Sequence, residues 1–169
     1  PALAVLVKYE MFNVVVGSGG TVGEWLTVDP RVSKISFTGS PPVGEQIIRK
    51  AGLKKVTMEL GNNSGTIIEP DADLSAAVPR CVMSAFANSG QVCITLQRLY
   101  VHKSVAKAFT EKLIEKTRDL RMGDVTQRDV WFGPVINDRA VQRWEKAVAQ
   151  AGREGKILLG GTRLRGDPF

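Results

Sequence analysis

Short apolar runs that end at glycine alternate along the chain with stretches whose apolar residues recur every three or four positions. That rhythm predicts strands followed by helices, hence an α/β protein. Residues 1–9 read as the last turns of a helix. Asn13 to Val16 is a β-branched run that predicts a strand, ends at Gly17-Ser18-Gly19-Gly20 and leads into a helix from Thr21 to about Val28. Lys34 to Thr38 predicts a second strand, with a helix from about Val43 to Ala51 stopped by Gly52. Lys54 to Leu60 predicts a third, and strand-helix-strand succession of this kind implies parallel pairing.

The second half repeats the rhythm. Thr66 to Glu69 predicts a short strand, and Asp73 is a good N-cap for a helical pattern from Leu74 to Ala87. Pro79 should kink or break that helix. Gln97 to His102 reads as a strand. Val105, Phe109 and Leu113 mark the apolar face of one further helix, and Ala140, Trp144 and Val148 that of another, ahead of a strand at Lys156 to Leu159. The loop between those helices carries Trp131, Phe132, Gly133 and Pro134. No internal repeat interrupts the series.

Composition excludes several classes. With 169 residues, 43% apolar and 24% charged, the chain has an ordinary globular mixture, enough for one substantial domain or two partial ones. No apolar run approaches the roughly eighteen residues of a membrane span. The start at Pro1-Ala2-Leu3 shows no basic segment or cleavage pattern, so no signal peptide is expected; it falls inside a helical pattern, which suggests a piece of a longer protein. The net charge of +6 is dispersed over amphipathic helices, with Glu111, Glu115 and Glu145 interleaved among the lysines and arginines. A nucleic-acid surface needs a one-sided basic stripe, so no nucleic-acid partner is expected. Two cysteines without framework spacing and a single histidine argue for a reduced, cytoplasmic chain with no metal centre.

The candidate chemistry lies in three places. Asn88-Ser89-Gly90-Gln91-Val92-Cys93 sets a thiol between a helix and a strand, after a glycine that permits a tight turn. The alternative there is a small hydrophobe packed at a helix end. Cys81, on the helix near Val78 and Ala85, reads as core. Glu59 ends the third strand, the end that faces the ligand crevice in open α/β sheets, although a lone glutamate there is often a solvated charge. Thr38-Gly39-Ser40 runs into a helix start with Pro41 and Pro42, a setting suited to a pyrophosphate or equally to a plain turn. The Gly17-x-Gly19-x-x-x-Gly23 spacing is one residue longer than the dinucleotide fingerprint and by itself reads as a loop.

Taken together, four stretches resemble the NAD(P)-dependent aldehyde dehydrogenase superfamily. They are Phe37-Thr38-Gly39-Ser40-x-x-Val43-Gly44, Met58-Glu59-Leu60-Gly61, Ser89-Gly90-Gln91-Val92-Cys93 and Phe132-Gly133-Pro134-Val135-Ile136. The resemblance implies parts of two Rossmann-like domains: residues 1–60 as the end of the NAD(P)-binding domain and 61–169 as the beginning of the catalytic domain. It implies Cys93 as the nucleophile toward a small aldehyde, its own N–H helping to hold the oxyanion, and Glu59 as the base that activates the hydrolytic water. Gly39 and Ser40 would lie at the pyrophosphate of NAD or NADP, Val43 and Gly19 at the adenosine half, and Leu60 beside the nicotinamide. Gly23 and Gly44 would allow close packing. A homo-oligomeric parent enzyme is implied as well.

Two positions depart from the family pattern. Asn62 stands where many members have a second glycine, and Gly65 where many have proline. The family's oxyanion asparagine, ribose-binding lysine and later glutamate–phenylalanine pair have no counterpart in these residues, so the 169-residue piece alone is expected to be inactive and, with apolar surface uncovered, to self-associate. Three other readings stand beside this one. A CoA-acylating dehydrogenase has no need of a hydrolytic base such as Glu59. A non-catalytic α/β binding module would suit a chain that is complete as it stands. A cysteine hydrolase using His102 would lack a group to orient the imidazole.

Overall fold

The computed structural model describes residues 11–163, and residues 1–9, expected to be helical, lie outside that range. The chain divides into two compact units, the first ending at Gly61 and the second beginning at Asn62.

In the first unit a tight helical turn, Gly19–Gly23, runs into α1 (Glu24–Val28). Then come β1 (Lys34–Gly39), α2 (Pro41–Lys50) and β2 (Lys55–Leu60). The two strands pair in parallel, in a register that sets Thr38 beside Glu59 and Gly39 beside Leu60. The intervening helix is the crossover that parallel strands need. Burial alternates along β2: Val56, Met58 and Leu60 are half-buried, whereas Lys55, Thr57 and Glu59 are exposed. The buried side faces α2 because Gly44 has no side chain. A methyl group there would come within 2.9 Å of a Leu60 methyl carbon and 3.5 Å of the Met58 sulfur.

The second unit repeats the arrangement with β3 (Gly65–Ile68), α3 (Leu74–Phe86) and β4 (Arg98–Val101), again a parallel pair. α4 (Ala106–Arg118), the short parallel pair β5 (Arg121–Met122) and β6 (Val130–Phe132), and α5 (Asp138–Glu154) follow. Asp73 caps α3 by accepting the N–H of Ser75 at 2.9 Å and its hydroxyl at 2.6 Å. Those bonds hold the carboxyl below its ordinary range, so the cap stays ionised as the solution is acidified. α3 runs through Pro79 without a break. Pro79 deprives the Ser75 carbonyl of its helical donor, and both residues are exposed, so water can serve that carbonyl.

The core of this unit joins α3 to α4 and the β3–β4 pair. Ile68, Val78, Cys81 and Val82 surround Phe109, which is 1% exposed. The Cys81 thiol is 6% exposed, and burial raises its pKa, so it is a packing residue with little tendency to ionise. Phe109→Ala should cost about 3–5 kcal/mol, because the ring is fully enclosed and its buried neighbours are fixed on a different helix, α3, and on β3. A urea midpoint unchanged from wild type would refute that placement of the core.

Two expected strands do not form. Asn13 to Val16 and Lys156 to Leu159 are exposed and outside any strand. Branched side chains favour a strand only where a neighbouring strand completes the hydrogen-bond ladder, and neither segment has one among the described residues. The expected strand–turn–helix unit at residues 13–28 is therefore a turn and a helix only. The apolar stripe of α5 is only partly covered. No α5 residue is buried: Trp144 remains 43% exposed, while Ala140 and Val148 are half-buried, Val148 close to Gly161 of the returning segment.

Candidate active site

The route from α3 to Cys93 passes through an unusual backbone. After Ala87, Asn88 (φ 51°), Ser89 (φ 58°) and Gly90 (φ 71°) are all in the left-handed region. Gly90 adopts this freely, but Asn88 and Ser89 cost on the order of 1–2 kcal/mol each, and local bonds must hold them there. Asn88 is bonded in both directions: its carbonyl accepts the N–H of Gln91 at 3.0 Å, and its side-chain amide donates to the Gln91 carbonyl at 3.3 Å. The Ser89 hydroxyl oxygen accepts the N–H of Gly133 at 3.0 Å. Beside it the rings of Phe86 and Phe132 meet edge to face at 5.5 Å. The Phe132-Gly133 motif thus props the turn that leads to the thiol.

Cys93 itself lies in a β-turn. The N–H of Thr95 donates to the Val92 carbonyl at 3.0 Å, which places Cys93 and Ile94 at the two central positions. Both are exposed, while Thr95 behind them is 8% exposed. The turn is tied back to α3 by the Leu96 N–H, which donates to the Ser84 carbonyl at 3.1 Å. From the other side comes the loop before β3. The Asn62 side-chain amide donates to the Cys93 carbonyl, and the Asn62 carbonyl accepts from the Gln97 side chain at 2.8 Å. The Asn62 side-chain oxygen meanwhile accepts the N–H of Ser64 at 2.9 Å. The residue that stands where many members of the resembled family have a second glycine therefore contributes a side chain that fastens the Cys93 peptide. Neither Thr95 nor this use of Asn62 was apparent in the sequence. Nothing in the letters around Thr95 marks it as turned inward; the fold does.

In the first unit, β1 delivers Gly39 and Ser40 to the start of α2. Pro41 and Pro42 leave fewer backbone donors than an ordinary helix start. What remains for an anion is the positive end of the helix dipole, a Ser40 side chain that makes no capping bond, and a first turn without acidic residues. Val43 is 43% exposed on that turn. Gly44 and Leu60 pack together, as a close-packing glycine requires. Gly19 and Gly23, on the helical turn before α1, have open space around them. Glu59 is on the other face of β2 from Leu60, on a polar surface with Thr57 and with Ser36 and Thr38 of β1. Its exposure and its place at the strand end leave the carboxylate free to meet a ligand.

The remaining polar residues lead elsewhere. His102 is exposed, and its Nδ1 lies 2.8 Å from the Ser104 hydroxyl at the approach to α4. Among the described residues no group of three histidine, cysteine or carboxylate side chains could hold a metal ion. No helix of these residues is long and apolar enough to cross a membrane.

Comparison with known proteins covers nearly the whole chain. The model of the aldehyde dehydrogenase family matches residues 4–168. A 3-sulfolactaldehyde dehydrogenase of Priestia megaterium is 48% identical over 152 residues, covering 89% of this chain and 32% of its own. The NADP-dependent succinate-semialdehyde dehydrogenase of Escherichia coli K12 is 42% identical over 163 residues, covering 94% and 34%. Among solved structures, a glyceraldehyde-3-phosphate dehydrogenase from Methanocaldococcus jannaschii, determined with NADP, superposes with a TM-score of 0.90. It is 38% identical over 95% of this chain and 36% of that one. The chain thus spans about a third of the length of the relatives it matches. It belongs to the aldehyde dehydrogenase family.

Proposed function

We propose that these residues supply the nucleophile and the hydrolytic base of an enzyme that oxidises an aldehyde to a carboxylic acid with NAD(P)+. The observation that carries the proposal is the exposed Cys93 thiol at the crest of a turn fastened to α3, to the end of β6 and to the Asn62 loop. The Cys93 thiolate adds to the aldehyde carbonyl and forms a thiohemiacetal, whose oxyanion can be met by the N–H of the same residue. A bound nicotinamide dinucleotide would supply the hydride acceptor at this point, and loss of hydride from the thiohemiacetal carbon would leave a thioester on Cys93. Glu59 then removes a proton from the water that attacks the thioester carbonyl, which releases the acid and the free thiol.

The cofactor assignment rests on the first unit. Ser40 and the helix start, with no acidic residue in the first turn, suit a pyrophosphate. The Gly44–Leu60 contact brings the same helix against the strand end where the nicotinamide would lie. Gly39 completes this seat, with Val43 and Gly19 toward the adenosine half and Gly23 beside it. The first unit is in this reading the end of the cofactor domain and the second the start of the catalytic domain. The parent enzyme works as a homo-oligomer in the cytoplasm, where both cysteines stay reduced.

Relatives named for sulfolactaldehyde, lactaldehyde and succinate semialdehyde point to short polar aldehydes as substrates. The test is to express the complete reading frame and follow reduction of NAD+ or NADP+ with these aldehydes, with and without CoA. Acid formation independent of CoA is expected, and the 169 residues alone should give none. Acyl-CoA as the only product would overturn the hydrolytic role of Glu59.

A further inference from the structure

Cys93 sits in a turn that is closed twice, and one side chain makes the second closure. The Val92 carbonyl accepts the backbone N–H of Thr95 at 3.0 Å and lies 2.6 Å from the Thr95 hydroxyl. The same hydroxyl oxygen accepts the N–H of Val92 at 3.1 Å and lies 3.1 Å from the Gly90 carbonyl, an alternative acceptor for its proton. Thr95 is 8% exposed, so water does not compete freely for these bonds.

The consequence follows from the planarity of the peptide bond. The Val92 carbonyl and the Cys93 N–H belong to one rigid trans unit, in which they point in opposite directions. Drawing the carbonyl inward with two donors therefore turns the Cys93 N–H outward, on the side away from Thr95. The peptide that follows is fixed separately, since the Cys93 carbonyl accepts from the Asn62 amide.

We propose that Thr95 is a positioning residue whose hydroxyl holds the Val92–Cys93 peptide so that the Cys93 N–H is aimed at the oxyanion formed during attack by the thiolate. It touches neither substrate nor cofactor and acts through that peptide alone. The inference rests on Cys93 being the nucleophile, as proposed above. A donor contributes to the rate in proportion to how well it is aimed before the reaction begins, so loss of the hydroxyl lowers turnover without weakening ground-state binding.

Thr95→Val keeps the shape and removes the hydroxyl; Thr95→Ser keeps the hydroxyl and removes the methyl group. In the protein expressed from its complete reading frame, Thr95→Val should lower kcat about tenfold to a hundredfold, with KM for aldehyde and cofactor within about twofold of wild type. Thr95→Ser should restore kcat to within about threefold of wild type. A valine variant with wild-type kcat, or a serine variant as slow as the valine one, would overturn the proposal. If Thr95→Val does not fold, Thr95→Ala takes its place with the same expected and overturning results. Cys93→Ala is measured alongside. Activity surviving in it removes the nucleophile and the role of Thr95 together, whereas activity lost there but normal in Thr95→Val removes the role of Thr95 alone.

Discussion

Cys93→Ala, made in the protein expressed from its complete reading frame, should abolish aldehyde-dependent reduction of NAD(P)+. A fall of about four orders of magnitude or more is expected, since the covalent route is lost and the remaining groups only bind and orient. The fold should hardly respond. The thiol is exposed, and the bonds that shape the turn come from the backbone of Val92 and Cys93 and from the side chains of Thr95, Ser89 and Asn62. Alanine disturbs none of these, so the unfolding free energy should stay within about 0.5 kcal/mol of wild type. Cofactor affinity, followed by quenching of protein fluorescence, should persist. Turnover surviving the substitution would remove Cys93 as nucleophile and return it to the reading of a small residue at a helix end.

Glu59→Gln should separate the two halves of the reaction. Acylation does not call on Glu59, so the first turnover should still yield about one equivalent of reduced cofactor. Release of the acid should slow by about 10²- to 10⁴-fold, the range lost with a positioned general base. The acyl group should then accumulate on Cys93 and appear in the intact mass as one added acyl unit. Glutamine preserves the size of the side chain at the end of β2, where its neighbours Thr57, Ser36 and Thr38 are polar and small. A variant that slows reduction of the cofactor itself, with no acyl-enzyme at any time, would show that Glu59 serves the earlier steps.

Much of the architecture was legible because the βαβ rhythm is long-range and redundant. Lys55–Leu60 and Leu74–Phe86 fall within a residue or so of the periods that announce them. The acidic cap expected at Asp73 makes the bonds that such a cap requires. What failed was local preference without a partner. Asn13–Val16 has the composition of a strand and no neighbouring strand among the described residues, and in the stripe of Ala140, Trp144 and Val148 the tryptophan stays exposed. The site divides in the same way. Its types of residue, a thiol after a glycine and a carboxylate at a strand end, are visible as letters. The means of holding them are not, because Thr95 to Val92 and Ser89 to Gly133 are bonds whose geometry depends on two successive turns and a left-handed stretch.

The alternation along β2 also bears on which length changes this chain could survive. Glu59 and Leu60 are adjacent in sequence but on opposite faces of the β1–β2 pair, one on the polar side and one beneath Gly44. Losing one residue inside the strand would exchange them, burying a carboxylate under α2 and presenting a leucine in its place. The connection between α2 and β2, residues 51–54, carries no such parity, so a residue gained or lost there leaves both side chains where they are. Length variation among descendants of this segment should therefore gather in that connection and leave the strand untouched.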